Sequence, residues 1–172
     1  MRFFEKVHIW TIVSNHLKTL KNSNSGKSEF DDYLTFLVLP IFGASLLMYF
    51  NIKLSAGATN IIITTLSILV GLLFNVIVII FDIIKRDSTK RLKNELLNQL
   101  LTNISYSIIL SIFIIVITLL TFIDNCFSKI IFYWIVYFLL GNYFLTVLMI
   151  IKRMYSLFIN ELSEIEKEAN KK

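Results

Sequence analysis

An apolar run from Ala56 to Ile84 constrains this chain more than any other stretch, because it is long enough to cross a bilayer and aligns its polar residues. Asn60, Thr64, Ser67, Gly71, Asn75 and, past Val78, Asp82 recur at steps of three or four. That is the spacing of one helix face, whereas a strand would place polar groups on alternate residues. A helix surrounded by lipid gains nothing from aligned polar groups, so the line is expected to face something other than acyl chains. At about 1.5 Å per residue the run measures roughly 43 Å, more than a hydrocarbon core of roughly 30 Å requires. It is therefore expected to tilt, or to project into water at one end.

Composition makes the same demand of the whole chain. Its 172 residues are 56% hydrophobic, with 15 Phe, one Pro and a mean hydropathy of +0.71. A soluble domain of this size has no polar surface left once several such runs are hidden. The expected fold is all-α, a polytopic membrane protein with four transmembrane helices, at about 33–50, 58–84, 100–123 and 130–151. They make up a transmembrane domain at 31–153. A cytosolic or interfacial amphipathic helix and linker at 1–30 precede it, and a cytosolic C-terminal helix at 154–172 follows.

In the first part, Phe3, Val7, Trp10, Val13, Leu17 and Leu20 share one helical face while Lys6, Lys18 and Lys21 lie on others. Such a helix is too interrupted by charge to span, and it lacks the apolar core and cleavage site of a secretory signal. It either lies in the interface with Trp10 at headgroup depth or packs on the cytosolic end of the bundle. His8 and His16 stand two turns apart without a third ligand, so no metal site is expected. The segment from Asn22 to Glu29 reads as a flexible linker.

Asp31 and Asp32 then cap the first span, which contains Pro40, where a kink is expected. Asn51 to Gly57 forms a short turn, and a second turn is placed near Asp87 to Thr89. The third span carries its own polar line, Asn103, Ser107, Ser111 and Thr118. The turn from Asp124 to Lys129 holds the single cysteine, Cys126, which is either free or links two copies. Phe132, Tyr133, Trp134, Tyr137 and Phe138 resemble a headgroup-level aromatic belt in the fourth span. Beyond Lys152 and Arg153 the helical period continues through Met154, Leu157, Leu162 and Ile165, interleaved with glutamates, as an acidic stalk.

All of the 17 Lys and Arg residues except Lys53 and Lys129 fall on one side of this arrangement. The positive-inside rule then places both termini and the middle hairpin in the cytosol. The net charge of +5 reads as a topology signal and as contact with anionic headgroups, not as nucleic-acid binding.

Two uses of the polar lines stay open. One is a packing seam, within the four-helix bundle or between copies in a homo-oligomer, where small residues allow close approach and carboxamides bond across. The other is a water-filled path lined by several copies of the second span. Asp82 has Lys85 and Arg86 at helical spacing, which suggests a local ion pair. No midspan charge points to proton-coupled transport. The sequence contains no zinc-protease helix, phosphate loop or nucleophile elbow, so no catalytic residue, cofactor or metal is expected and the chain reads as a non-enzyme.

The four short-looped spans, the NISYSIILSI opening of the third and the FLTVLMIIKRMYSLF exit of the fourth resemble small membrane subunits of bacterial antiphage defence loci. Similar plans occur in the Kiwa membrane component, the Rex exclusion membrane protein and the four-span accessory of type VI CRISPR loci. The resemblance implies a homo-oligomeric membrane sensor or effector working with a cytosolic protein partner. Two functions follow. In the first, the cytosolic surfaces recruit that partner, with Arg86, Lys90, Arg91, Lys93, Glu161 and Glu164 as contact candidates. In the second, the protein is a pore-forming, depolarising effector. A holin-like protein or a transporter subunit is a further alternative.

Overall fold

The computed structural model describes residues 9–19, 29–86, 91–122 and 126–169. These form five helices: α1 (Ile9–Thr19), α2 (Glu29–Tyr49), α3 (Ala56–Arg86), α4 (Arg91–Leu120) and α5 (Cys126–Ala169), with no strand among the described residues. His8, most of the linker, the turn near Asp87 to Thr89, and Asp124 with Asn125 lie outside them. Cys126 is the first residue of α5, so the helix begins within the stretch from Asp124 to Lys129 that the sequence reads as a turn.

Local chemistry sets the helix ends. Ser55 is the N-cap of α3: its Oγ accepts from the Ala58 N–H at 3.2 Å and its carbonyl from the Thr59 N–H at 2.9 Å. At the end of α2, the Ile52 N–H reaches the Leu47 carbonyl at 3.1 Å and the Asn51 N–H reaches Met48 at 2.9 Å. With Asn51 at φ 54°, this is a Schellman closure in which a left-handed residue lets two orphan carbonyls be satisfied. An Asn51→Val variant should therefore lose about 1–2 kcal/mol in thermal unfolding in detergent, because a β-branched side chain resists that conformation. Asn51→Gly should match or exceed the parent.

Among the described residues three helices, not four, are long and apolar enough to cross a membrane: Ala56–Asp82, Glu95–Leu120 and Lys129–Asn160. The expected first span, 33–50, falls short. Its apolar stretch there is Leu34–Tyr49, closed at its C-terminal end by the Asn51 turn. The fourth expected span is part of a single 44-residue helix that runs on without interruption through the acidic stretch to Ala169.

Packing order differs from chain order. α3 packs on α4, α4 on α5, and α5 on α2, while α1 lies against α4. The consecutive helices α2 and α3 do not pack on one another, so the bundle is open on that side. The connection between them passes α5, where the Tyr137 hydroxyl donates to the Ile52 carbonyl at 3.0 Å. Phe36 of α2 lies beside His16, and Ser45 further along the same helix accepts from the Trp134 indole N–H of α5 at 3.4 Å.

The α2–α5 contact is built on small atoms. A Cβ placed on Gly141 would sit 3.0 Å from the Pro40 Cβ and 3.2 Å from its Cα. Pro40 is buried there, and the helix continues through it. On α3 the buried residues Thr59, Leu66, Leu73 and Ile80, with half-buried Ile62, Leu69 and Val76 between them, alternate steps of three and four. This is a heptad seam. The core around it divides into a cluster with Leu97, Leu100, Ile104 and Ile150 near the basic end and one with Leu110, Ile114, Val136 and Tyr143 toward the other. Between helices in lipid, such contacts stabilise through close packing, since acyl chains are as apolar as leucine.

Candidate functional site

The polar lines of α3 and α4 have opposite fates. On α4, Asn103, Ser107, Ser111 and Thr118 are all fully buried. Ser111 resolves its burial by donating to the Ile108 carbonyl of its own helix at 2.7 Å, as Thr121 does to Thr118 at 2.7 Å. Ser107 Oγ and Thr118 Oγ1 have no hydrogen-bond partner among the described residues, nor has the Asn103 Nδ2 amide.

Asn103 is the centre of a polar node joining three helices. The His16 Nδ1–H donates to Asn103 Oδ1 at 2.9 Å. The same oxygen lies 2.8 Å from the Thr19 hydroxyl, whose single proton is shared with the His16 carbonyl at 2.7 Å. The His16 ring stacks on Tyr106, centroids 3.8 Å apart and 5° from parallel, and meets Phe36 of α2 edge-on at 6.4 Å. Only 3% of the residue is exposed. Burial pushes the His16 pKa down to about 4; the Asn103 hydrogen bond opposes that shift and the nearby Arg153 charge adds to it. His16 is therefore docked as a neutral ring. Arg153 of α5 completes the node by donating to the Thr19 carbonyl at 2.7 Å and, more weakly, to the Gln99 carbonyl at 3.4 Å. A cation thus closes the C-terminal end of α1.

On α3, by contrast, Asn60, Thr64, Ser67, Gly71, Asn75 and Asp82 are all exposed. At about 100° per residue, their mean direction lies roughly opposite the heptad seam on α4. Within one chain, therefore, the line is not a packing seam. Ser67 donates to the Ile63 carbonyl of its own helix at 2.8 Å. Lys85 places its ammonium 5.0 Å from the centre of the Phe81 ring.

The proposed partner contacts gather at the end of the row that holds the node. Arg86 closes α3, Arg91 and Lys93 open α4, and Glu161 and Glu164 belong to the last turns of α5. Lys90 lies outside the described residues. Near them, α1 and α4 enclose an open polar groove of about 300 Å³, lined by Asn15, Lys18 and Thr19 on one side and Glu95, Asn98, Gln99 and Thr102 on the other. Among the described residues no three His, Cys, Asp or Glu side chains converge as a metal site would require.

Sequence reasoning weighed His16 only as a metal ligand, and it did not single out Thr19, Gln99 or Gly141. The available signal was a histidine at helical spacing from Ile9, Ile12 and Val13, on a different side of α1 from the exposed Trp10 and Leu17, paired with an asparagine at the opening of a span. Each needs a polar partner once buried. Comparison with known families, with curated proteins and with solved structures finds no match to this chain.

Proposed function

We propose that this chain is a non-enzymatic, multi-pass inner-membrane protein that assembles with copies of itself through the polar edge of α3 and offers its basic end to a cytosolic partner. One observation carries the reading: α3 meets its own chain on a heptad seam and holds six small or polar positions on the opposite face. In lipid, that face is stable when another helix covers it, at about 0.6–2 kcal/mol for each interhelical hydrogen bond. The open side of the bundle leaves room for the covering helix. The clustering of α1, Arg86, Arg91 and Arg153 at one end supports a cytosolic placement of that end, and with it of both termini. The architectural resemblance supports a sensor or anchor in antiphage defence as the setting.

Disulfide trapping tests the assembly. In a Cys126→Ser background, Ser67→Cys should form a crosslinked dimer under mild oxidant in membranes, while Phe113→Cys, on the exposed apolar face of α4, should stay monomeric. A monomeric Ser67→Cys protein would refute self-assembly through this edge.

The second reading is a conduit lined by α3, favoured by the line being exposed over its whole length from Asn60 to Asp82. Ser67→Leu and Asn75→Leu should then abolish ion flux from proteoliposomes yet leave partner capture intact. Deletion after Arg153 should do the reverse.

A further inference from the structure

The groove between α1 and α4 combines features that a packing defect does not need. Lys18 lines it from α1 and Glu95 from α4, and these opposite charges are not paired with each other. The remaining lining is carboxamide and hydroxyl: Asn15, Asn98, Gln99, Thr19 and Thr102. The two walls are tied together from α5, since Arg153 donates to the carbonyls of Thr19 and Gln99, one on each wall. Lys18 supplies the positive charge of the groove lining and so its anion subsite, while Arg153, engaged with the two carbonyls, holds the walls together. Glu95, whose carboxylate accepts from Gln99 Nε2 at 3.4 Å, supplies an opposite subsite for an ammonium. The groove also has a defined place along α4, because its lining residues Glu95, Asn98 and Gln99 precede the largely apolar run from Leu100 to Leu120. If α4 crosses the bilayer as proposed above, the groove opens at headgroup level, where Lys and Arg side chains meet phosphates.

We propose that this groove binds a phosphate that carries a primary ammonium, as in an ethanolamine headgroup, with Lys18 on the phosphate side and Glu95 on the ammonium side. The two charges come from opposite walls of the groove, one from each helix. A purely anionic headgroup would leave Glu95 facing negative charge, and a trimethylated ammonium would donate no hydrogen bond to it.

Native mass spectrometry of the full chain in lipid-free detergent tests this, with short-chain phosphatidylethanolamine, phosphatidylglycerol and phosphatidylcholine as probes and free phosphoethanolamine and inorganic phosphate as separate arms. The parent should prefer the ethanolamine lipid by about tenfold, a difference of the size one charged hydrogen bond provides. Glu95→Gln should erase that preference while keeping phosphatidylglycerol binding, and Lys18→Ala should weaken both lipids. Both side chains are exposed, so neither variant should unfold the helices. Competition by phosphoethanolamine but not by inorganic phosphate supports recognition of the headgroup. Binding of phosphoethanolamine as tight as the lipid identifies a soluble source of the same chemistry. Equal binding of the three lipids by the parent, or an undiminished preference in Glu95→Gln, would overturn the proposal. Alkaline extraction of the chain from membranes would instead defeat the membrane reading, whatever the groove binds.

Discussion

Acidification from about pH 7.5 to about pH 5 should release α1 from α4, with the loss centred between the usual histidine pKa near 6.5 and the docked value of about 4. The direction follows from which state takes the proton. Once undocked, His16 protonates below about pH 6.5, whereas the docked ring, buried against Tyr106 and facing Arg153, resists protonation down to about pH 4. Docking is therefore at full strength above the undocked pKa and weakens as pH falls through the interval, by up to about 3 kcal/mol at 1.36 kcal/mol per pKa unit. Hydrogen exchange of Ile9–Thr19, corrected for the intrinsic pH dependence of exchange, would show it as rising amide exposure in that segment alone. His16→Gln removes the titrating group, so its exchange should be flat with pH. If protection of α1 is unchanged between about pH 7.5 and about pH 5, the neutral-ring account of docking fails.

Enlarging Gly141 should have an effect of similar size at a different place. An added Cβ meets Pro40 at 3.0 Å, tight enough that α2 must shift slightly, and Gly141→Ala should cost about 1 kcal/mol. Gly141→Leu has no such small adjustment available. It should cost about 1–3 kcal/mol or more and separate α2 from α5, because Pro40 presents a rigid ring and backbone atoms. The separation would register as loss of crosslinking by a short bis-maleimide between Ser45→Cys and Trp134→Cys in a Cys126→Ser background, a pair of positions whose parent side chains approach to 3.4 Å. Gly71→Leu, on the exposed face of α3 where an added Cβ meets nothing within 4 Å, should leave that crosslink unaffected.

The helical architecture could be read from the sequence because apolar length and three-to-four spacing are properties of one segment at a time. The orientation of α3 could not. Its seam on α4 uses Leu66, Leu73 and Ile80, which in a helix that is apolar almost all round look no different from lipid-facing Ile61, Ile68 and Leu72. The polar line is visible in the sequence, but whether it faces its own chain or another is not determined there, since polar residues in lipid need protein without specifying whose. On α4 the same kind of line is buried because that helix has neighbours on three sides, α1, α3 and α5. The span count missed by one for a related reason. Among the described residues the apolar run of α2, Leu34–Tyr49, is shorter than the other three, and the Asn51 closure ends it on the C-terminal side. The His16 node was hidden because its members come from positions 16, 19, 103 and 153, and only the fold makes them neighbours.

The position of α5 between α2 and α4 bears on how the protein is made. During synthesis α2 is complete well before α5 exists, and its next companion in the chain, α3, does not pack on it. The face bearing Pro40 must therefore wait without its partner until Gly141 leaves the ribosome. Nascent chains arrested before that residue should leave α2 undocked, so assembly of this row is completed by its latest-born member.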